Sequence, residues 1–325
     1  MNLLEALRYL AALEQHRHFG RAAQACHITQ PALSNAIRAL ESHFGVTIVR
    51  RSRQYEGLTP EGVLALSAGH RMLHEAESLR QALASRAGAP QGGLQIGAVP
   101  TALPIAARFA ARLRVLHPGL RPVLRSLSSP EIDAGLDNLS LDLALGYSHR
   151  PEVPARHLVV WPQYGEHYFV VQQVGAATQA FAFGPPITWL EAGTLALVML
   201  TPEMHNRQLV DAAFLAAGPR PQPALETNSV LALLVAVQSG ASYSSGSSGS
   251  VAAVLPGALV ATLATQGALE ARPLTAPVLR TPIGFITAPA VTASRAVAAA
   301  LALAQDADWL AEAAAHSGPL ATREA

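Results

Sequence analysis

Thr59 and Pro60 open a helix that runs without a breaker to about Arg86. Along it Leu66, Gly69, Leu73, Ala76, Leu79 and Leu83 recur at intervals of three and four, the spacing of a coiled-coil seam. A lone helix with such a seam needs a partner. Leu66, Leu73, Leu79 and Leu83 are therefore the expected contacts of a dimerisation helix, and the run splits the 325-residue chain into an N-terminal unit and a larger C-terminal one. His70 and His74 stand at i, i+4 on it, but with no HExxH pattern or nearby third ligand they read as packed or exposed histidines, and no metal or other cofactor is expected.

The N-terminal unit reads as helical before it turns. Leu3, Leu7 and Leu10 mark one helix, Phe19 to Cys26 a short second, and TQPALSNAIR at 29–38 begins a third. Thr29 can cap that helix, and Pro31 in its first turn sacrifices no hydrogen bond. Leu33, Ala36, Ile37 and Leu40 make one apolar stripe, while Gln30, Ser34, Asn35 and Arg38 face the other way with groups that can bond base edges or phosphates. Two short helices a few residues apart, the second polar outward, form a helix-turn-helix pattern, with Ala22, Ala23, Cys26 and Ile28 packing between them. Next, VTIV followed by RRSRQYEG suits a β-wing whose tip carries Arg50, Arg51 and Arg53 towards a phosphate backbone. Charge agrees with this reading. Residues 1–53 hold seven Arg and three acids, a net of +4, whereas the rest of the chain is net −3.

RAGAPQGG at 86–93 reads as a linker. Beyond it strands and helices alternate: LQIGAV, a helix over 101–116, RPVLRSL, a helix near 130–138 and LDLALGY. LALVML, a helix near 203–217, PALETN and the apolar helix 229–238 repeat the scheme, which is α/β architecture in two similar halves. WPQYGEHYFVVQQ within 157–173 is a candidate crossing between halves, with a return near 268–283. Ligands of such sheets bind beyond the carboxyl ends of the strands, so two facing halves create a cleft. Thr101 and Thr201 read as residues at helix N-termini facing it, Ser128 and Ser129 follow the second strand, and Asn228 opens a later helix. His205 and Arg207 could offset Glu203, which favours an organic acid slightly over a neutral metabolite.

The motif residues Ala22 and Ala23, Thr29-Gln30-Pro31-Ala32-Leu33-Ser34, Ile37, Leu40-Glu41, Gly45, Arg51 and Leu58-Thr59-Pro60-Glu61-Gly62 resemble, in order and spacing, those of the LysR-type transcriptional regulators. The resemblance covers about residues 3–315. It implies a winged helix-turn-helix domain (1–62), a linker helix and hinge (63–93), and an effector domain of periplasmic-binding-protein type (94–316), followed by a tail (317–325). Subdomain I of the effector domain would be about 94–163 with 280–316, and subdomain II about 164–279. It further implies that Gln30, Pro31, Ser34 and Arg38 enter the DNA major groove and that Arg51 meets the backbone. Subunits would pair through linker helices and assemble as a homodimer or homotetramer at an interrupted palindrome. A small-molecule effector would bind at Thr101, Ser128, Ser129, Thr201, Glu203, His205, Asn206 and Asn228. The sequence departs from the family at Asn35 and Ala36, where Arg and Gln are frequent, at Val49, usually Phe, and in the Ser/Gly run 239–250, which reads as a surface loop.

Other classes find less support. An α/β enzyme with a helical appendage would be the alternative, but there is no Walker lysine, the 23 basic residues all being Arg, and no GxSxG or CxxC motif. Cys26 stands alone, so no disulfide can form within the chain. The start MNLLEALRYLAALEQHR is interrupted by Glu5, Arg8 and Glu14, and VLALLVAV at 230–237 is too short to span a bilayer. An exported solute carrier is therefore disfavoured, no membrane association is expected, and the cytoplasm is the expected location.

Overall fold

The computed structural model describes residues 2–51, 55–84, 89–174, 180–239, 251–263, 269–289 and 294–316. The N-terminal unit consists of α1 (Leu3–His16), α2 (Phe19–Ala25), α3 (Gln30–Phe44) and a hairpin of β1 (Val49–Arg51) and β2 (Tyr55–Leu58). Thr29 caps α3, its hydroxyl accepting from the Ala32 amide, and Gly45 ends the helix in the left-handed region where a glycine is least strained. The stripe of α3 is buried as its spacing requires: Leu33, Ile37 and Leu40 pack with Leu7, Leu10 and Leu13 of α1 and Ala22 and Ala23 of α2. Glu41 of α3 accepts from the amides of Ile48 and Val49 and so fixes the hairpin against that helix.

The long helix α4 spans Pro60–Ala84. Its start is set by Thr59, which accepts from the Gly62 amide and donates to the Thr47 carbonyl. The expected seam divides in two. Leu66 and Leu73 pack on the N-terminal core, whereas Leu79 and Leu83 are each 61% exposed, together with Met72. The first turns of α4 use one face as a wall of the winged-helix core while Val63 and Leu64 point outward, and Leu79 and Leu83 are the seam leucines left open. His70 and His74 are packed against the second unit, His70 beside Asn138 at 3.4 Å and His74 beside Asp142 at 3.5 Å. Among the described residues no cluster of His, Cys, Asp or Glu could hold a metal ion.

The first half of the α/β unit contains β3 (Gly92–Ala98), α5 (Leu103–Leu116), β4 (Leu120–Ser126), α6 (Ser129–Asp137), β5 (Leu143–Tyr147) and the short α7 (Glu152–Ala155). A 15-residue strand, β6 (Val159–Gln173), then crosses to the second half. There follow β7 (Ala182–Phe183), β8 (Ile187–Thr188), α8 (Trp189–Ala192), β9 (Leu197–Leu200), α9 (His205–Ala217), β10 (Leu225–Thr227), α10 (Val230–Gln238), β11 (Ala252–Pro256), α11 (Gly257–Leu263) and β12 (Leu269–Thr275). The chain returns through β13 (Arg280–Thr287) and closes on the first half with α12 (Arg295–Ala304) and α13 (Ala307–His316).

Strand order is β10-β9-β11-β6-β13-β5-β3-β4, with β12 beside β6. β6 belongs to both halves: residues 159–167 pair with β13, and residues 168–173 pair with β11 on one side and β12 on the other. The change of partner falls between His167 and Tyr168. Each half keeps a core of its own, around Phe109, Phe285 and Trp309 in the first and around Phe169 and Trp189 on the two faces of the second. The Ser/Gly run from 240 to 250 lies outside the described residues.

Candidate nucleic-acid interface and effector cleft

On α3, Gln30, Pro31, Asn35 and Arg38 are exposed and Ser34 is half-buried, so the face opposite Leu33, Ile37 and Leu40 is free to meet a partner. Arg50 is exposed on β1, paired in register with Gly57. Arg51 ends that strand, and Arg53 lies outside the described residues. Cys26 follows α2 as a half-buried residue, and burial pushes its thiol up from the ordinary value. Such a thiol packs rather than reacts.

The cleft residues separate into groups. Thr101, Ser128, Ser129, His205 and Asn206 line one small cavity of about 30 Å³ between the halves, together with Tyr147 and Met204. Asn228 lies elsewhere, with Ser229 in an apolar groove of about 580 Å³ between α5 and α10. Thr201 and Glu203 close on each other, the threonine hydroxyl donating to the carboxylate at 2.6 Å.

Two of the expected helix ends are corrected. Thr101 is not a cap: it sits within a 3-10 turn, Pro100–Ala102, is 1% exposed, and shares a hydrogen bond with the Tyr147 hydroxyl at 3.0 Å. Pro104 in the first turn of α5 moves the helix start beyond it. Thr201 likewise precedes the helix, since α9 starts at His205 with Met204 as its uncapped N-cap. Ser128 does cap α6, in a reciprocal capping box with Glu131.

Charge in and around the cleft is also arranged differently from the expectation that made an organic acid attractive. Arg207 donates to Asp211, to Glu226 and to the Leu200 carbonyl, so it holds subdomain elements together instead of facing a ligand. Arg150, 4% exposed, forms a two-point pair with Asp133 at 2.6 and 2.9 Å and also donates to the Tyr147 carbonyl. His205 packs on the Tyr147 ring, centroids 4.6 Å apart, with His149 5.9 Å away. Burial holds both histidines below the ordinary value, with Arg150 adding to it, so they are neutral at pH 7.

The residues that sequence reasoning missed lie on the crossing strand. Tyr164, Glu166 and Tyr168 alternate along β6 and so share one face of it. In register beside them stand Thr281 and Ile283 of β13 and, one strand further, Tyr147 of β5. Tyr168 shares a hydrogen bond with Thr281 at 3.2 Å. Glu166 is fully buried, and neither of its carboxyl oxygens has a protein hydrogen-bond partner; burial pushes its pKa up to about 8. The signal was present as a lone acid between two tyrosines in YGEHYFVV, but nothing local says which face of the strand is buried.

Comparison with known proteins fits this architecture. Residues 4–63 match the family described as bacterial regulatory helix-turn-helix protein, lysR family, and residues 87–309 match the LysR substrate binding domain. The chain is 35% identical over 148 residues to a hydrogen peroxide-inducible genes activator of Dickeya chrysanthemi, 45% of this chain and 48% of that protein. It is 33% identical over 168 residues to an SDS degradation transcriptional activation protein of a Pseudomonas species, covering 50% and 55% respectively. The chain thus spans about half the length of the relatives it matches. Among solved structures, a full-length OxyR variant from Pseudomonas aeruginosa superposes with a TM-score of 0.63 at 24% identity, covering 92% of this chain and 96% of that one. CbnR, a LysR family transcriptional regulator, does so with a TM-score of 0.64 at 17% identity, covering 96% and 99%. With both units matched, and the substrate-binding domain alone accounting for well over half of its length, this chain belongs to the LysR family of bacterial helix-turn-helix regulators.

Proposed function

We propose that the protein is a cytoplasmic transcription regulator, not an enzyme, that binds double-stranded DNA through α3 and the wing and responds to a small molecule held between the two halves of its C-terminal domain. The domain division given above, with the N-terminal unit ending near 62 and the effector domain beginning near 94, belongs to this reading. No described helix is long and apolar enough to cross a membrane. The observation that carries the proposal is the exposed face of α3 itself. Gln30, Pro31, Asn35 and Arg38 lie open on α3, and Arg50 is open on the hairpin that Glu41 ties to the same helix, whose other face is buried in the core. Gln30, Ser34, Asn35 and Arg38 are assigned to base edges, and Arg50, Arg51 and Arg53 to phosphates.

Replacing Arg50, Arg51 and Arg53 together with Ala is expected to weaken binding to every duplex and to reduce the salt slope by about two to three units, because each phosphate contact releases close to one counterion. Arg38→Ala should instead cost about 1–3 kcal/mol for the preferred sequence and little for others. Fluorescence anisotropy at several salt concentrations, with the chain's own promoter region and a scrambled duplex, reads both. An unchanged salt slope in the triple variant would remove the wing from the interface.

Pairing of subunits is assigned to the outer half of α4, where Leu79 and Leu83 are open, with assembly as a homodimer and onward to a homotetramer. Leu83→Asp should separate the subunits on dilution, in sedimentation, while leaving the winged-helix unit folded. Leu73→Asp should instead loosen that unit, since Leu73 packs on its core. Native mass in the Leu83→Asp protein would place the contact elsewhere.

For the effector, the cavity at Thr101, Ser128, Ser129, His205 and Asn206 is the proposed site, with Thr201 and Glu203 just before the start of α9; Asn228, in the separate groove, is not part of it. An organic acid would have hydroxyls and neutral side chains for its carboxylate there, both nearby guanidiniums being engaged. Cys26 is the chain's one cysteine and belongs to the N-terminal unit, outside the proposed effector site. The effector is accordingly bound and shifts the balance between subunit arrangements by preferring one of them.

A further inference from the structure

We propose that the effector carries a protonated amine, which reaches the Glu166 carboxylate between Tyr164 and Tyr168. This deepens the assignment of the cleft as the effector site and rests on it. The case begins with a charge inventory. Arg150 is closed on Asp133, Arg207 on Asp211 and Glu226, and the exposed Glu203 receives the Thr201 hydroxyl. Glu166 is left with no partner, although it is the most deeply buried of these groups, at 0% exposure.

Burying an acid without a donor is costly, and native structures seldom keep such a group unless something outside the chain satisfies it. The neighbours of Glu166 select the kind of partner. Tyr164, two residues away on the same face, has a buried hydroxyl that is also without a protein partner. Tyr147, Tyr164 and Tyr168 are the titratable groups that feel the carboxyl, and burial, the largest cause, pushes each phenol up, so all remain neutral. A ring of phenols around a carboxylate suits a small cation, which can be held by charge, by hydroxyl oxygens and by aromatic faces. It does not suit a second anion.

The position also connects to the cleft. Tyr147 and Asn206 line the small cavity, and Tyr147 pairs across Ile283 with Tyr164, two residues from Glu166 on the same face. Asn206 stands on α9 of the second half and Tyr147 on β5 of the first, while Glu166 sits where β6 passes from one half to the other. An amine drawn to Glu166 would therefore be gripped by both halves at the point about which they would open.

Thermal unfolding of the full-length protein with methylammonium chloride tests this, with sodium acetate and acetamide at matched ionic strength as comparators, at pH 6, 7 and 8. Methylammonium should raise the midpoint, and its apparent affinity should rise up to tenfold per pH unit across that range, because Glu166 must lose its proton to bind the cation. His149, His167 and His205 are all held below the ordinary value by burial, and the Glu166→Gln comparison at each pH separates their contribution to the slope from that of the glutamate. Glu166→Gln should abolish the response while preserving shape, and Tyr164→Phe should weaken it several-fold. A methylammonium response that survives Glu166→Gln overturns the proposal, and so does a lack of response to any probe, which would mean that water alone satisfies the carboxyl. If acetate alone stabilises and Thr101→Val removes that effect, the cleft stands and the amine falls. If the methylammonium response needs Glu166 but is indifferent to Thr101→Val and to Asn206→Ala, the amine stands and the cleft assignment falls.

Discussion

Glu166→Gln is expected to flatten the dependence of stability on pH between about 5 and 8. In the folded protein burial raises the Glu166 pKa from 4.5 to about 8. The native state therefore keeps a proton that the unfolded chain gives up near pH 4.5, and the stability linked to it is fully present below that value. It is lost as pH rises through 8, with a slope approaching about 1.4 kcal/mol per pH unit and a sum of roughly 5 kcal/mol as an upper limit. Several histidines, among them His149, His167 and His205, are held below the ordinary value and contribute with the opposite sign near pH 6. The difference between wild type and Glu166→Gln isolates the glutamate from them. Denaturant midpoints at pH 5, 6.5 and 8 measure it. Two parallel stability curves would show that the carboxyl finds a charged or hydrated partner in solution, and the buried, unpaired description would fail.

Arg150→Ala should destabilise the C-terminal domain by about 3–5 kcal/mol, since it leaves Asp133 as a buried charge without its counterion. The pair is 5% exposed on both side chains, and its two hydrogen bonds at 2.6 and 2.9 Å join α6 to the loop after β5. Arg150 also donates to the Tyr147 carbonyl at 3.3 Å, so its loss should loosen the residue that shapes the cavity beside Thr101. A double-mutant cycle sharpens the prediction. Asp133→Leu with Arg150→Met should cost less than Arg150→Ala alone, because removing both charges also removes both desolvation penalties. A melting temperature within a degree of wild type for Arg150→Ala would show that solvent or a bound proton already satisfies Asp133, and the buried-pair reading would fail.

These two residues also mark where sequence reading stops. The helix-turn-helix was legible because each of its determinants is local. Thr29 caps through an amide three residues on, and Leu33, Ile37 and Leu40 bury one face of a single helix. The alternation of strands and helices in two halves, and the long helix from Pro60, rest on the same short-range periodicities. Such signals depend on neighbours that the chain cannot separate.

What the tertiary structure alone decided are choices between partners that are far apart in sequence. Thr101 could have capped a helix, but it bonds Tyr147, 46 residues away. Arg207 could have faced an anion, but Glu226 lies within its reach once β10 pairs with β9. Leu66 and Leu73 lie on the expected seam, and only the packing shows that both also rest, half-buried, on the N-terminal core. Glu166 looks like any acid on an alternating strand until β6 is paired with β13 beside it and elements from both halves pack on the strand, leaving the glutamate with no exposed surface. Local sequence fixes which groups a residue can bond; the free energy of burial, set by strand register and by the packing of distant elements, decides which bond it makes.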